Sequence, residues 1–193
     1  DVYYYGVPFI IILIAGEFIY SYIYKKEYYK REDSLASLGL LAGNVAISLL
    51  TKGSILLVYI YFYQFRLFTI NDLLPIWAVW ALTFIVIDFV YYWYHRCSHR
   101  IRFLWAVHMN HHSSEEMNYV VSLRQAWFGP ISKIPFFMFM PLVGFDPLIT
   151  LVAGVASTLW GVFGHTQWIN RLGPLEYIFV TPSSHRVHHG SNE

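Results

Sequence analysis

The chain has 193 residues, of which 56% are hydrophobic, 20% aromatic and only 13% charged. That is about half the charged share of a soluble domain, so the composition points to one membrane-embedded domain over 1–193 rather than a water-soluble one. A net charge of +1 excludes an electrostatic binder of nucleic acid, and the single cysteine, Cys97, excludes an intrachain disulfide and a cysteine-rich zinc site.

The opening stretch, DVYYYGVPF, has no basic region ahead of its apolar run, so no signal peptide is read. A spanning helix needs about 20 mostly apolar residues. Residues 7–24 meet this, with Glu17 as their one charge. Residues 34–65 are long enough for one tilted helix or for two pieces broken at Lys52-Gly53. Residues 74–95 form a third span. Residues 127–145 and 146–164 form a fourth and fifth, joined as a hairpin by the turn GFDP. Pro135 and Pro141 make the first arm irregular. Glu17 and Lys52, inside apolar runs, are expected to snorkel or pair. The expected fold is therefore all-α: a membrane bundle of about three spans plus a helical hairpin. The end of the chain, just past a histidine cluster, reads as truncated.

Lys and Arg in short loops set orientation. KKEYYKRE (25–32) carries four and RCSHRIR (96–102) three, so both are expected on the cytoplasmic side. A single crossing by 34–65 followed by 74–95 satisfies this, and the hairpin returns to the same face. Arg96, Arg100, Arg102 and Arg124 fit the topology rule, and could also meet lipid headgroups or a cytoplasmic electron donor.

The same assignment puts all nine histidines on one face. His95 and His99 are four apart on one helical face. His108, His111 and His112 share the spacing HxxHH, again one helical face, and His185, His188 and His189 repeat it. His165 stands alone and fits a polar tip at the interface equally well. Neutral imidazole is the commonest metal ligand, and nine donors suit two ions with open positions left over. Two structural zinc ions, or a metal-stabilised scaffold without chemistry, would use the same donors. A metal transporter fits poorly, because transport sites usually lie at mid-bilayer depth and these histidines lie at helix ends and in loops. Iron is favoured by location: beside an apolar layer the target is a lipid chain, and an unactivated C–H bond needs chemistry that a metal supplies. Asp88, seven residues before His95, could accept the N–H of a metal-bound imidazole or serve in helix pairing. Glu115 and Glu116 could do the same or be solvated loop acids.

The words DFVYYWYHRCSH, HMNHHSSEEMN, GHTQWINRLGPLE and TPSSHRVHHG resemble the fatty acid hydroxylase/sterol desaturase superfamily of membrane di-iron oxygenases over roughly residues 84–190. The resemblance implies that His95, His99, His108, His111, His112, His185, His188 and His189 bind two iron ions, with His165 as a further ligand and dioxygen as co-substrate. HHSSEEMN, SLRQ, HTQWIN and LGPLE are most similar to the branch that oxidises ether lipids. That similarity implies attack on the ether-linked carbon of an alkylglycerol, with tetrahydrobiopterin as reductant. Arg100 stands where that branch carries a glutamate. The other activities within the superfamily are hydroxylation or desaturation of a sterol or fatty-acyl chain, fed by a cytochrome or ferredoxin. The endoplasmic reticulum and a bacterial inner membrane both fit such an enzyme.

Overall fold

A computed structural model describes residues 2–190. Among the described residues the ordered elements are all helical. Three helices are long and apolar enough to cross a membrane: α1 (Val2–Ile23), α2 (Arg31–Tyr63) and α4 (Ile76–Ser98). Their outward faces are lined with exposed Leu, Ile, Phe and Tyr, the surface a lipid solvent favours because each backbone group is satisfied within its own helix. α2 runs unbroken through Lys52-Gly53 for 33 residues, so that segment is one helix. At about 1.5 Å per residue it is about 50 Å long, and Glu32 and Asp33 in its first turn face the positive end of its dipole. The short α3 (Ile70–Leu73) precedes α4, which starts just after Pro75.

The expected hairpin is present but short. Its first arm is broken into α6 (Gly129–Phe137) and α7 (Phe139–Val143), with prolines at 135 and 141 where the sequence has them. Its second arm is α8 (Pro147–Phe163), 17 residues or about 25 Å, short of a hydrocarbon core of about 30 Å. Neither arm counts among the spanning helices, a correction to the expectation of a fourth and fifth span. The turn uses Gly144 at φ 123°. A side chain there would lie 2.0 Å from the Phe68 carbonyl oxygen, so glycine is needed for both conformation and space.

The chain divides into two compact units. One comprises Asp1–Ala42, Met109–Gln125 and Thr158–Glu193, and the other Gly43–His108 and Ala126–Ser157. The second unit has an apolar core of Ile87, Val90, Met140, Phe145 and Ala153. Tyr94 and Ser132 share a hydrogen bond of 2.8 Å there, tying α4 to α6.

The first unit is laced by polar contacts between distant segments. Arg124, with 9% of its side chain exposed, pairs with Asp33 at 2.6 Å. Its guanidinium is therefore engaged inside the unit. Asp33 also accepts from Ser114 at 2.8 Å, and Lys30 meets Glu116 at 2.7 Å. Asn118 donates to the Tyr28 carbonyl at 2.6 Å, while its own oxygen accepts from Val120 and Val121 N–H groups. That Asx turn opens the 3₁₀ turn Val121–Leu123. Glu17 is fully buried and is satisfied by hydrogen bonds, as expected of a charge in an apolar run that cannot reach water.

Candidate metal centre

The histidines of the second unit lie on α4 and α5 (Arg102–His108). His95 is in the last turn of α4 and His99 is its C-cap. Their Nε2 atoms are 3.2 Å apart. Ring centroids are 4.9 Å apart for His95 and His99, 4.8 Å for His95 and His108, and 4.9 Å for His99 and His108. The three rings thus form a nearly equilateral triangle. Tyr91 stacks on His95 at 5.7 Å, one helical turn earlier, and Trp105 lies 5.4 Å from His99.

The expectation of one helical face for His108, His111 and His112 is not met. α5 ends at His108, and His111 and His112 lie in the turn that follows. Asn110 and Ser113 supply the reason. The Ser113 hydroxyl donates to the Asn110 carbonyl at 2.7 Å, one of the local bonds by which such residues compete with helix. The break sends His108 to the second unit and His111 and His112 to the first.

In the first unit the ligand atoms of His111, His165, His185 and His189 all lie within 4.8 Å of one another. The Nε2 atoms of His165 and His111 are 3.0 Å apart, as are those of His165 and His185. Nitrogens about 2.0–2.1 Å from a tetrahedral metal stand about 3.4 Å from each other, so these separations suit one cation. His165 Nδ1 donates to the Gly161 carbonyl at 2.7 Å. This fixes the tautomer and presents the Nε2 lone pair inward, the usual second contact of a metal-binding imidazole. His165 is 4% exposed. Burial pushes its pKa down to about 4, the Gly161 bond opposes this, and His188 adds to it. His189 is also pushed down, first by burial and then by the neighbouring His185, His112, His165 and His188. Both are therefore neutral at pH 7, the state metal binding requires. His189 Nε2 is buried without a hydrogen-bond partner. A bare nitrogen lone pair in such a place is costly unless a cation meets it, and this residue set fits a metal ion on that ground. His112 lies beside the group, its ring 4.8 Å from His188 and stacked at 4.2 Å on His189.

Local sequence builds the last histidine-bearing helix, α9 (Pro182–His189). Thr181 is its N-cap, with a reciprocal capping box to Ser184 and Pro182 at the first helical position. Glu176 accepts from the Ser183 hydroxyl and the Leu172 N–H, joining the 3₁₀ turn Gly173–Tyr177 to the start of α9. Two imidazoles a turn apart, His185 and His189, belong to the four-histidine group, while the ring of His188 lies against His112.

Of the remaining candidates, Asp88 is exposed on α4 and Glu115 is exposed in the loop. Neither accepts a hydrogen bond from a histidine among the described residues. The sequence pattern alone does not single out Arg186. Its guanidinium donates to the Thr166 carbonyl at 2.7 Å and the Ile169 carbonyl at 2.8 Å, clamping α9 to the loop that carries His165. The available signal was an arginine inside a ligand motif, HRVHH, where its neighbours are fixed.

An all-helical chain with three apolar helices long enough to span a membrane and histidines gathered in groups that could hold a metal ion defines a class of membrane protein, and comparison with known proteins gives its family. The fatty acid hydroxylase family model matches residues 80–193, and the chain belongs to that family. Alkylglycerol monooxygenase of Xenopus tropicalis is 39% identical over 189 residues, covering 96% of this chain and 41% of the relative. Alkylglycerol monooxygenase of Homo sapiens is 38% identical over 191 residues, with the same coverage. Ornithine lipid hydroxylase OlsE of Rhizobium tropici is 30% identical over 110 residues, 56% of this chain and 33% of that protein. The chain thus spans about two fifths of the length of the first two relatives. No solved structure matches it.

Proposed function

We propose that this chain is the histidine-bearing part of an integral membrane di-iron monooxygenase that hydroxylates a C–H bond of a lipid. The substrate class is an alkylglycerol ether lipid, oxidised at the ether-linked carbon. The observation that carries the reading is the four-imidazole group of the first unit, with His189 Nε2 buried and unpartnered. His111, His165, His185 and His189 hold one ion. The triangle His95, His99 and His108 of the second unit supplies donors for another ion.

Iron, when bound, supplies the dioxygen activation that an unreactive C–H bond needs. The chain supplies the rest. Gly161 holds the Nδ1 proton of His165, so the ring cannot turn its lone pair away. Burial keeps His165 and His189 neutral and ready to bind. Arg186 fixes α9 against the His165 loop, so ligands from distant segments keep their separation. The basic loops support a site on the cytoplasmic face of the endoplasmic reticulum or a bacterial inner membrane, where a water-soluble reductant would reach it.

The names of the first two relatives support an alkylglycerol substrate, and with it tetrahydrobiopterin as reductant. The ornithine lipid relative keeps a second reading open: hydroxylation of another lipid, fatty-acyl or sterol, with electrons from a cytochrome or ferredoxin. Purified protein is expected to carry two irons per chain and to oxidise an alkylglycerol when given dioxygen and tetrahydrobiopterin. Turnover that ignores pterin but needs reduced ferredoxin would favour the second reading. Active protein free of iron would end both.

A further inference from the structure

Glu17 lies in α1, outside the residues the family match covers. It is 0% exposed, and among the described residues it makes no ion pair. A carboxylate carried this deep is costly unless donors surround it, and three do. Its Oε2 accepts from the Tyr29 hydroxyl at 2.7 Å and from the Tyr119 backbone N–H at 2.8 Å. Its Oε1 accepts from the Thr166 hydroxyl.

Two of these donors sit on ligand segments. Thr166 directly follows His165, and Tyr119 lies eight residues after His111, inside the Asx turn opened by Asn118. Thr166 is held on every side. Its hydroxyl oxygen accepts from the Trp168 N–H at 2.9 Å, and its carbonyl accepts from Arg186, next to His185. The segments bearing His111, His165 and His185 therefore meet at Glu17 and Thr166, although their ligands are far apart in sequence. Tyr29 carries no histidine segment and serves as an internal control.

Resting on the metal reading above, we propose that Glu17 is a positioning residue of the four-histidine group, holding Thr166 and Tyr119 so that His165 and His111 keep their Nε2 atoms converged before an ion arrives. A preformed group needs no rearrangement on binding. Partners behind the ligands are typically worth about 10- to 100-fold in metal affinity.

The test is Co²⁺ titration of the whole metal-free protein in detergent, followed by visible absorption, which reports ligand number and geometry. Wild type is expected to take up two ions. Thr166→Val removes the hydroxyl and keeps the shape. Glu17→Gln keeps the size and sets an amide N–H₂ against one of the donors. Both are expected to bind one of the two ions about 10- to 100-fold more weakly with an altered spectrum. Thr166→Ser is expected to restore binding, and Tyr29→Phe to leave Co²⁺ affinity unchanged even where it lowers the melting temperature. Wild-type affinity in Thr166→Val and Glu17→Gln, no rescue by serine, or an equal loss in Tyr29→Phe would reduce Glu17 to packing and overturn the proposal. Should Thr166→Val fail to fold, Glu17→Gln decides by the same titration. A wild type that takes up no Co²⁺ overturns the metal reading as well, so the two failures are distinguishable.

Discussion

Replacing His189 by alanine separates a ligand from a packing residue. The imidazole Nε2 is buried and without a hydrogen-bond partner, a penalty of about 1–3 kcal/mol wherever no cation meets it. Alanine removes that penalty while giving up the ring's contacts, including the stack on His112 at 4.2 Å, so the two effects roughly offset. With metal present the balance changes. A four-ligand zinc site contributes about 10–16 kcal/mol, or about 3 kcal/mol for each ligand. Losing one therefore weakens binding about 100-fold, and at saturating metal removes about 2.7 kcal/mol of stabilisation. The assay is thermal unfolding of wild type and His189→Ala, each with chelator and with excess Zn²⁺. With chelator the two should melt together. With Zn²⁺ the wild type should gain clearly more than the variant. Equal destabilisation of the variant in both conditions would show that His189 only fills space, and the metal assignment for this group would fail.

Asp33→Ala should cost about 3 kcal/mol or more, because it strands the buried Arg124 guanidinium; Asp33→Leu combined with Arg124→Met should recover most of that loss in denaturant melts. Gly144→Ala should cost about 3 kcal/mol or more, since φ is 123° and the new Cβ would meet the Phe68 carbonyl; expression and melting temperature check this. Glu176 is held below its ordinary pKa of 4.5, first by the Ser183 hydroxyl and then by the Leu172 N–H. Its folded form favours the charged state, so its contribution is fully present above that value and fades as pH falls through it and the lower folded one. Glu176→Gln should flatten the acid side of the stability–pH curve below about pH 4.5 and leave neutral pH little changed.

What the sequence determined by itself was whatever depends on local, additive properties. Apolar length marked residues 7–24, 34–65 and 74–95 as spans, because partition into lipid sums residue by residue, and α1, α2 and α4 follow. The histidine types and their clustering marked the candidate donors, because imidazole chemistry belongs to the residue, and the structure gathers those rings into groups that could hold a metal ion. Thr181, Pro182 and Ser184 likewise carried the cap of α9 in their own types. Whether 34–65 was one helix or two was beyond local reading, since Gly53 weakens a helix without ending it. The hairpin arms fell short because proline and glycine punctuate them at points where apolar content alone cannot say how the backbone breaks.

Tertiary structure decided how the donors are shared. Two identical HxxHH words have different fates. In one, Asn110 and Ser113 end the helix, so that His108 joins His95 and His99 while His111 joins the histidines of α9. In the other the helix persists, and His185 and His189 face one group while His188 meets His112. Only folding made Glu17 and Arg186 neighbours of Thr166. Spacing along a chain fixes directions over a turn or two of helix, whereas coordination depends on distances of a few ångströms between segments such as those of His111 and His165, 54 residues apart, and those distances exist only once the buried carboxylate, its donors and the arginine clamp have packed.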